Sequence, residues 1–600
     1  MTASPITIRP DLSMAHAFDR FWRGTGFSPG ELLLTPEMQR TLKLLSATPR
    51  KGIEYLRPHF LLNLVRKTAN GYDYALLEDA IDVMVGNGFV PFFEIMGNPS
   101  DAFDFQGTDW APAWRDLVSE MIQRFADRYG ENELRRWYFE SWNEPDLPWW
   151  PSDETAFLAY YDACVAGLDA AMPGLTVGGP GTARTLSPMF KAFVAHCDAG
   201  ENRLTGERPR CDFISVHEKG VEKSFEDIAP DSVGICKREW QAIDYLRKHH
   251  PALADLPIIN NECDPQVGWW QHHTWRATAY KPAIIAKIID QHQRLLADHG
   301  APMGMLFNDN GFMGEWGQRT QFTLFGGRSV SKAQSEHETD LERVDELRCA
   351  DPFSLVKKPS LSVMDMLAQL GETRVPIPGL TPDEDGPGAL ATRDESGNWA
   401  VLLYNSRDAV RVSGSSTVSV RLPGTEGAWD VLVLTLDDIE ANPFVVWEAT
   451  SLPKPPVSPK LTAPIDVLDA MRRAAEPRQR LRRRFLGEIS LDLEVPLPSV
   501  ALVLAAPAND EAPPPPPAHL QEIDGLNGPE WLVSWEEGGA FGMRHDVALD
   551  NGSVSDPVPV LDAPILANAF VLSAIPNKRV MVRSIALSGA TSEWVEAAQV

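Results

Sequence analysis

The sequence predicts an α/β protein: a (β/α)8 TIM barrel with a β-sandwich domain and a C-terminal fibronectin type III-like domain. Three observations predict this architecture. Apolar strand-like runs alternate with amphipathic helical stretches from about residue 50 to 310. Short alternating strands dominate from about residue 389, and a proline-rich stretch precedes the last 80 or so residues.

The barrel is predicted from seven continuous apolar runs, most of them followed by a helical pattern. These runs lie at 53–62, 89–96, 137–142, 176–179, 213–217, 258–262 and 304–308, and the helical patterns include 74–85, 111–128, 155–171, 240–248 and 278–298. Continuous apolar runs indicate parallel strands that are covered on both faces. Seven or eight such units in roughly 300 residues favour a closed barrel over an open sheet, and we assign it residues 1–375.

The second half is predicted to hold two β domains. Period-two alternation predicts a β-sandwich over 376–508, which the N-terminal stretch is a candidate to join. Residues 464–486 are rich in arginine and are predicted to form a helical insert; no aromatic residues interleave the arginines, which favours a solvated helix face over a nucleic-acid patch. Residues 509–517 predict a stiff proline-rich linker, and 518–600 predict the fibronectin-like module.

Composition excludes several classes of function. The net charge of −28 argues against a protein that wraps DNA. The chain has no run of 18 apolar residues and no recognisable signal peptide, so we expect no membrane partner. The six cysteines are scattered without a CxxC pattern, which is typical of reduced thiols, so we expect a cytoplasmic protein. We expect neither a metal nor a cofactor, and the oligomeric state stays open.

Two glutamates at predicted strand ends carry the chemistry. Glu144 follows the run Trp137 to Trp142, and Glu262 ends the run 258–262. Two carboxylates at the carboxyl ends of barrel strands are what a retaining glycosidase needs. We expect Trp142 and Pro145 to raise the pKa of Glu144 by desolvation, which suits a general acid. Each glutamate alone is also consistent with a structural role, a capping turn or a buried ion pair, and it is the pair that favours catalysis.

Further polar residues follow the same strand ends. His217 and Lys219 end the run 213–217, a loop after Glu262 carries Asp264, Gly268 and Trp269, and the last barrel run leads to Asp309 and Arg319. A neutral sugar needs no cation, so Lys219 and Arg319 suggest a carboxylate on the substrate, such as that of a uronic acid. Each cation is equally consistent with neutralising a nearby carboxylate, and His217 with a satisfied core histidine.

At these positions the chain resembles glycoside hydrolase family 39, and within it the enzymes that act on α-L-iduronides. The resemblance runs from Phe21 to Leu361. It is carried by Phe-Glu-Ser-Trp-Asn-Glu-Pro-Asp at 139–146, Ser-Val-His-Glu-Lys-Gly at 215–220, Asn-Glu-Cys-Asp-Pro-Gln-Val-Gly-Trp at 261–269, and Asn-Asp-Asn at 308–310 followed by Gln-Arg-Thr at 318–320. The β-xylosidases of this family share Trp-Asn-Glu-Pro, but the resemblance implies that they lack the run after Glu262.

The resemblance implies a retaining exo-glycosidase for terminal α-L-iduronides or related uronides of the glycosaminoglycan type. It implies Glu144 as acid/base and Glu262 as nucleophile, with sugar contacts from Asn143, Lys219, Gly268, Asp309 and Arg319. Pro29 and His59, with His217, Asp264 and Trp269, complete the candidate substrate contacts. The chain departs from the family where the loop around 28–30 is shortened and where Leu76 replaces a histidine. A β-xylosidase, a β-glucuronidase and a non-catalytic carbohydrate-binding barrel remain alternatives.

Overall fold

The computed structural model describes residues 6–26, 28–221, 229–269, 271–308, 310–327, 344–349, 351–380, 385–409, 411–453, 460–550, 552 and 557–600. Eight strands close a parallel barrel in which each strand pairs with its neighbours in chain order, so the predicted TIM barrel is confirmed. The strands are β1 (Gly24–Thr25), β2 (Tyr55–Leu56), β3 (Val90–Glu94), β4 (Tyr138–Glu140), β5 (Thr176–Thr182), β6 (Phe213–Val216), β7 (Ile258–Cys263) and β8 (Met303–Asn308).

The first barrel strand escaped prediction because it is only two residues long and contains a glycine. A side chain at Gly24 would lie 2.2 Å from the ring of Phe307, so only glycine lets β1 approach β8. Aromatic side chains fill the barrel interior below the site: Phe92 stacks on Tyr138 and makes edge contacts with Phe213 and Phe307. The interior is therefore packed, and polar residues are concentrated at the carboxyl end of the strands.

Helices cover the outside of the barrel. They are α1 (Pro36–Leu45), α2 (Ala75–Gly86), α3 (Ala111–Tyr129), α4 (Glu154–Ala171), α5 (Pro188–Ala199), α6 (Val233–His249), α7 (Tyr280–Gln291) and α8 (Pro359–Leu367), with short helices at Glu131–Leu134 and Val344–Leu347. Side-chain caps fix where several of them begin, because the first backbone N–H groups of a helix have no intrahelical acceptor. Thr35, Asp153 and Ser187 each accept such a hydrogen bond.

A small three-stranded sheet lies between β8 and α8. Its strands are Gly311–Gly314, Thr320–Gly326 and Phe353–Lys357. The buried ammonium of Lys358 donates to the carbonyl oxygens of Glu315 (2.7 Å), Trp316 (2.9 Å) and Gln318 (3.0 Å), and to the hydroxyl of Thr320 at 2.8 Å. Lys358 thereby holds in place the turn that carries Arg319.

Beyond the barrel, a seven-stranded sheet faces a three-stranded one. The larger sheet runs His16–Ala17, Thr373–Arg374, Asp385–Arg393, Trp399–Arg407, Ser499–Pro507, Ala428–Asp437 and Arg478–Leu486, and the smaller runs Ile6–Ile8, Ser415–Leu422 and Ile489–Pro496. Both sheets thus take a strand from the N-terminal stretch. Side chains such as Val401, Val418 and Val503 fill the core between them.

The predicted helical insert at 464–486 is wrong in its second part. The helix covers only Ile465–Ala474, and a short helix, Pro443–Glu448, precedes it. Arg478–Leu486 is instead an edge strand that pairs with Ala428–Asp437. Its arginines reach acidic partners: Arg480 pairs with Asp437 at 2.6 Å, and Arg484 with Asp430 at 2.7 Å. The partner strand and the ion pairs override the helical pattern, and neither can be seen in the local sequence. Charged side chains on an edge strand also discourage pairing with a further strand.

Residues 518–600 form two four-stranded sheets. One contains Ala518–Gly525, Gly528–Trp535, Ala569–Ser573 and Ala598–Gln599, and the other Arg544–Asp550, Val558–Pro559, Arg579–Ile585 and Val595–Glu596. The module contacts the rest of the protein through Glu530, which accepts from Ser354 at 2.6 Å and pairs with Arg472 at 2.8 Å. Its fibronectin type III assignment stays a prediction. In the described part of the chain, no helix combines the length and apolarity that crossing a membrane requires.

Candidate active site

The two predicted glutamates lie together at the carboxyl end of the barrel. Glu262 lies within β7, and Glu144 follows β4 in a tight turn where its φ is 45°, a left-handed conformation that a side chain rarely adopts. The backbone N–H of Glu144 donates to the carbonyl of Gly181 at 2.9 Å, which holds the turn against β5. Strain of this kind is typical of functional positions, where surrounding contacts impose it.

The spacing of the carboxyl groups indicates the reaction type. An oxygen of Glu144, an oxygen of Glu262 and a ring nitrogen of His217 all lie within 4.8 Å of one another. Retaining glycosidases hold their two carboxyl groups about 5–5.5 Å apart, whereas inverting ones leave about 6.5–9.5 Å for a water molecule. An oxygen-to-oxygen distance of this size fits the shorter separation, that of the retaining enzymes.

Lys219 lies between the two glutamates. Its Nζ is 2.6 Å from Oε2 of Glu262 and 3.3 Å from Oε1 of Glu144. The backbone N–H of the next residue, Gly220, donates to the carbonyl of Asp264 at 2.8 Å, which ties this loop to the loop after β7. One ammonium group therefore compensates both carboxylates.

The sequence analysis missed Arg57, a fully buried arginine that follows β2 and organises the site. Its guanidinium contacts Glu94 (2.5 Å), Glu140 (2.7 Å), Glu262 (2.9 Å), Asn143 (3.1 Å) and His217 (3.1 Å). Burial lowers its pKa, but the three carboxylates outweigh burial and raise it, so Arg57 is permanently charged. An arginine inside the apolar run 53–62 was a signal that a buried acidic partner exists.

Glu94 and Glu140 were also missed, although each lies inside an apolar run that was assigned to a strand and ends the strand that the structure shows. Glu94 accepts from Nδ1 of His59 at 2.8 Å, and Glu140 accepts from the side-chain amide of Asn261 at 2.6 Å. Both carboxylates are fully buried, so they hold neighbouring side chains of the site in place and are not exposed to a substrate. Their partners come from different strands, which sequence spacing cannot show.

The tautomer of His217 follows from its neighbours. Arg57 has only N–H donors, so the Nε2 of His217 that lies 3.1 Å from it accepts a hydrogen bond. Nδ1 therefore carries the proton and donates to Oε1 of Glu144 at 3.1 Å. Through His217, Arg57 favours the ionised form of Glu144 as well as that of Glu262.

His59 and Pro29 lie beside the nucleophile candidate. Nε2 of His59 is 3.5 Å from Oε1 of Glu262, and Pro29 pairs with His59 through a parallel backbone bridge. Burial lowers the pKa of His59, but Glu94 more than offsets burial and raises it, so the imidazole adds positive charge next to Glu262. The short loop around Pro29 thus positions His59.

The expected rise in the pKa of Glu144 is wrong. Burial acts in that direction, but Lys219 and the hydrogen bond from His217 outweigh burial and lower the pKa to about 2. The Trp142 ring turns away into a cluster with Phe105 and Trp150. The pKa of Glu262 is also lowered, since His217, Lys219 and Arg57 outweigh its burial. These neighbours therefore favour the ionised form of both glutamates.

The loop after β7 meets the turn that carries Arg319. Asp264 is fully buried, accepts from Lys281 and lies 3.8 Å from NH1 of Arg319. This geometry favours a role of Asp264 in holding Arg319 over direct contact with a sugar. The backbone N–H of Arg319 donates to the carbonyl of Trp269 at 3.3 Å, and Gly268 has a φ of 81° that suits glycine. Asp309 lies outside the described residues.

Comparison with known proteins agrees with this geometry. The model of the family "Glycosyl hydrolases family 39" matches residues 6–487. Alpha-L-iduronidase of Mus musculus is 33% identical over 547 residues, which cover 84% of this chain and 81% of the relative, and Beta-xylosidase of Caldicellulosiruptor saccharolyticus is 24% identical over 72% of this chain and 84% of its own length. A solved structure described as the bacterial orthologue of human α-L-iduronidase superposes with a TM-score of 0.89 at 41% identity and covers 99% of both chains.

Proposed function

The chain belongs to glycosyl hydrolase family 39, and from this premise we propose that it is a retaining exo-glycosidase that hydrolyses terminal α-L-iduronides or related uronides. The observation that carries the proposal is the position of Lys219, whose ammonium contacts both catalytic glutamates where the sugar must bind. A second cation, Arg319, is held by Asp264 at the next loop. Two cations suit a carboxylate-bearing sugar better than a neutral one.

The first half of the reaction forms a glycosyl-enzyme. The Glu262 carboxylate attacks the anomeric carbon, the bond from that carbon to the leaving oxygen breaks, and Glu144, in its acid form, gives its proton to that oxygen. Contacts from Arg57 at 2.9 Å and His59 at 3.5 Å orient Glu262 for this attack. Their positive charge also keeps the nucleophile ionised.

The second half returns the free enzyme. The Glu144 carboxylate removes a proton from water, the resulting oxygen bonds to the anomeric carbon, and Glu262 leaves as a carboxylate. Two inversions give net retention at the anomeric carbon. Asn143, whose side-chain oxygen is held by Arg57 at 3.1 Å, has an amide NH₂ group that is suited to a sugar hydroxyl beside the reacting carbon.

Two substitutions test these roles. We expect Glu262→Ala to abolish hydrolysis of an aryl α-L-iduronide, because no nucleophile remains. Glu144→Gln should slow phenyl iduronide far more than dinitrophenyl iduronide, because only the poorer leaving group needs a proton. NMR of the first-formed product should show retention. Full activity in either variant, or an inverted product, contradicts the proposal.

A β-xylosidase is the second candidate, and a specific observation favours it: β-xylosidases are among the family relatives. A β-D-xyloside presents its leaving group to the two carboxylates in the same sense as an α-L-iduronide and lacks the carboxylate at C5, and a β-D-glucuronide differs from the iduronide in configuration at C5. A panel of the three aryl glycosides separates them, and faster turnover of the xyloside overturns the first choice. Binding of all three without turnover would instead indicate a non-catalytic barrel.

A further inference from the structure

The two catalytic glutamates differ in what compensates them besides Lys219. Glu262 is also supported by Arg57 at 2.9 Å and His59 at 3.5 Å, which hold it from the side of β2. Glu144 is contacted at 3.3 Å by Lys219 and at 3.1 Å by Nδ1 of His217, and no arginine contacts its carboxyl group among the described contacts. Lys219 is thus a larger part of the positive charge that faces Glu144 than of the charge that faces Glu262.

Resting on the proposed function, we infer that Lys219 couples the charge of the substrate to protonation of the general acid. The carboxylate of a bound uronide engages the Lys219 ammonium and draws it away from Glu144, and Glu144 then takes one proton from the solvent. A sugar without a carboxylate leaves Lys219 on Glu144, which stays ionised. The site therefore selects its substrate in two ways: it binds the uronide more tightly, and only the uronide causes Glu144 to become protonated.

The charges around Glu144 support this coupling. Among the described residues, the titratable groups that face its carboxyl are Lys219 and His217 from the loop after β6, Glu262 from β7, and Asp146 from its own loop. Asp146 is engaged by the backbone N–H groups of Ala183 at 2.8 Å and Arg184 at 3.1 Å. While Lys219 and His217 contact its carboxyl group, the pKa of Glu144 is held at about 2 against its burial. When Lys219 no longer contacts Glu144, burial and the negative charge of Glu262 raise the pKa of Glu144.

The proton goes to Glu144 and not to Glu262. When a uronide binds, one negative charge enters, one proton follows it, and Lys219 remains an ammonium throughout. Glu262 keeps Arg57 and the charged His59, so its ionised form stays favoured, as a nucleophile requires. The bound complex then has the two protonation states that double displacement needs, an acid and a carboxylate.

Proton uptake on binding tests the inference directly. Two slowly hydrolysed ligands, phenyl 1-thio-α-L-iduronide and phenyl 1-thio-β-D-xyloside, form a pair in which only the first carries the carboxylate. Calorimetric titration at about pH 5.5 in two buffers with different ionisation enthalpies gives the protons taken up per ligand bound, as linkage requires. We expect uptake close to one proton for the thio-iduronide and close to none for the thio-xyloside. Equal uptake with both ligands, or none with the thio-iduronide, overturns the inference.

Kinetics of variants give an independent readout. With phenyl glycosides, we expect kcat for the xyloside to fall about tenfold per pH unit between about pH 4 and pH 6, while kcat for the iduronide changes less than about twofold. Lys219→Gln should remove the uptake seen with the thio-iduronide and flatten the xyloside profile, because Glu144 is then protonated before binding. Lys219→Arg keeps the charge and should keep both behaviours. An unchanged xyloside profile in Lys219→Gln contradicts the coupling.

These outcomes separate the inference from the function on which it rests. If the aryl iduronide is not hydrolysed, the proposed function fails. If it is hydrolysed with retention but binds without proton uptake, only the coupling fails. Arg319→Gln serves as the matched control, since it removes the other cation: it should weaken thio-iduronide binding and leave the uptake per bound ligand unchanged.

Discussion

Replacing Arg57 by methionine should destabilise the barrel. Arg57 contacts three buried carboxylates, and the variant leaves each with a different remaining partner. Glu94 keeps His59 at 2.8 Å, and Glu262 keeps Lys219 at 2.6 Å, whereas Glu140 keeps only the neutral amide of Asn261 among the contacts described. Glu140 therefore becomes the uncompensated buried charge.

The magnitude follows from that single charge. Breaking a buried ion pair by removing one partner costs about 3–5 kcal/mol. At about 2 °C per kcal/mol for a large domain, Arg57→Met should melt about 6–10 °C below the wild type near neutral pH. Loss of placement of Glu262 and Asn143 should also lower kcat/KM at least about 100-fold.

Thermal unfolding followed by tryptophan fluorescence near neutral pH measures the effect. A second substitution provides the control: Glu140→Gln in the Arg57→Met background removes the stranded charge and should recover part of the stability. Glu94→Gln in the same background should recover less, because Glu94 retains His59. The reasoning is refuted if Arg57→Met melts within about 2 °C of the wild type at neutral pH, or if Glu140→Gln restores nothing.

Three further predictions concern the supports of the site and a distant buried cluster. Lys358→Met removes four donor contacts from the turn before Arg319; we expect KM for an aryl iduronide to rise with little change for the xyloside, and equal effects on both would contradict this. Arg319→Gln should raise KM for the iduronide about 10- to 150-fold, as the loss of a charged hydrogen bond of about 1.5–3 kcal/mol implies, and leave the xyloside unaffected. Burial raises the pKa of Asp365 to about 7 against the pull of Lys357. Folding therefore binds a proton at Asp365, and its contribution to stability is lost as pH rises from about 4 to 7. Asp365→Asn should make the thermal midpoint less dependent on pH in that range. If the midpoints of the variant and the wild type change equally with pH, this account of Asp365 is excluded.

Much of the fold was predictable because burial leaves a local signature. Parallel strands covered on both faces appear as continuous apolar runs, and seven of the eight barrel strands were located in this way. The exceptions share one cause. β1 is two residues held by its neighbours, and Arg478–Leu486 becomes a strand because Ala428–Asp437 and its carboxylates lie beside it. In both cases a partner distant in sequence decides the structure.

The sequence by itself determined which residues carry the proposed chemistry: Glu144 and Glu262 at strand ends, with Lys219 and Arg319 nearby as the cations proposed for a charged sugar. Only the tertiary structure decided how these groups are charged. The barrel brings Lys219 between the glutamates and Arg57 behind them, and this reverses the pKa shift expected for Glu144 from its flanking residues. Residue types are local, whereas the electrostatic potential at a carboxyl group sums charges that the fold assembles from many strands.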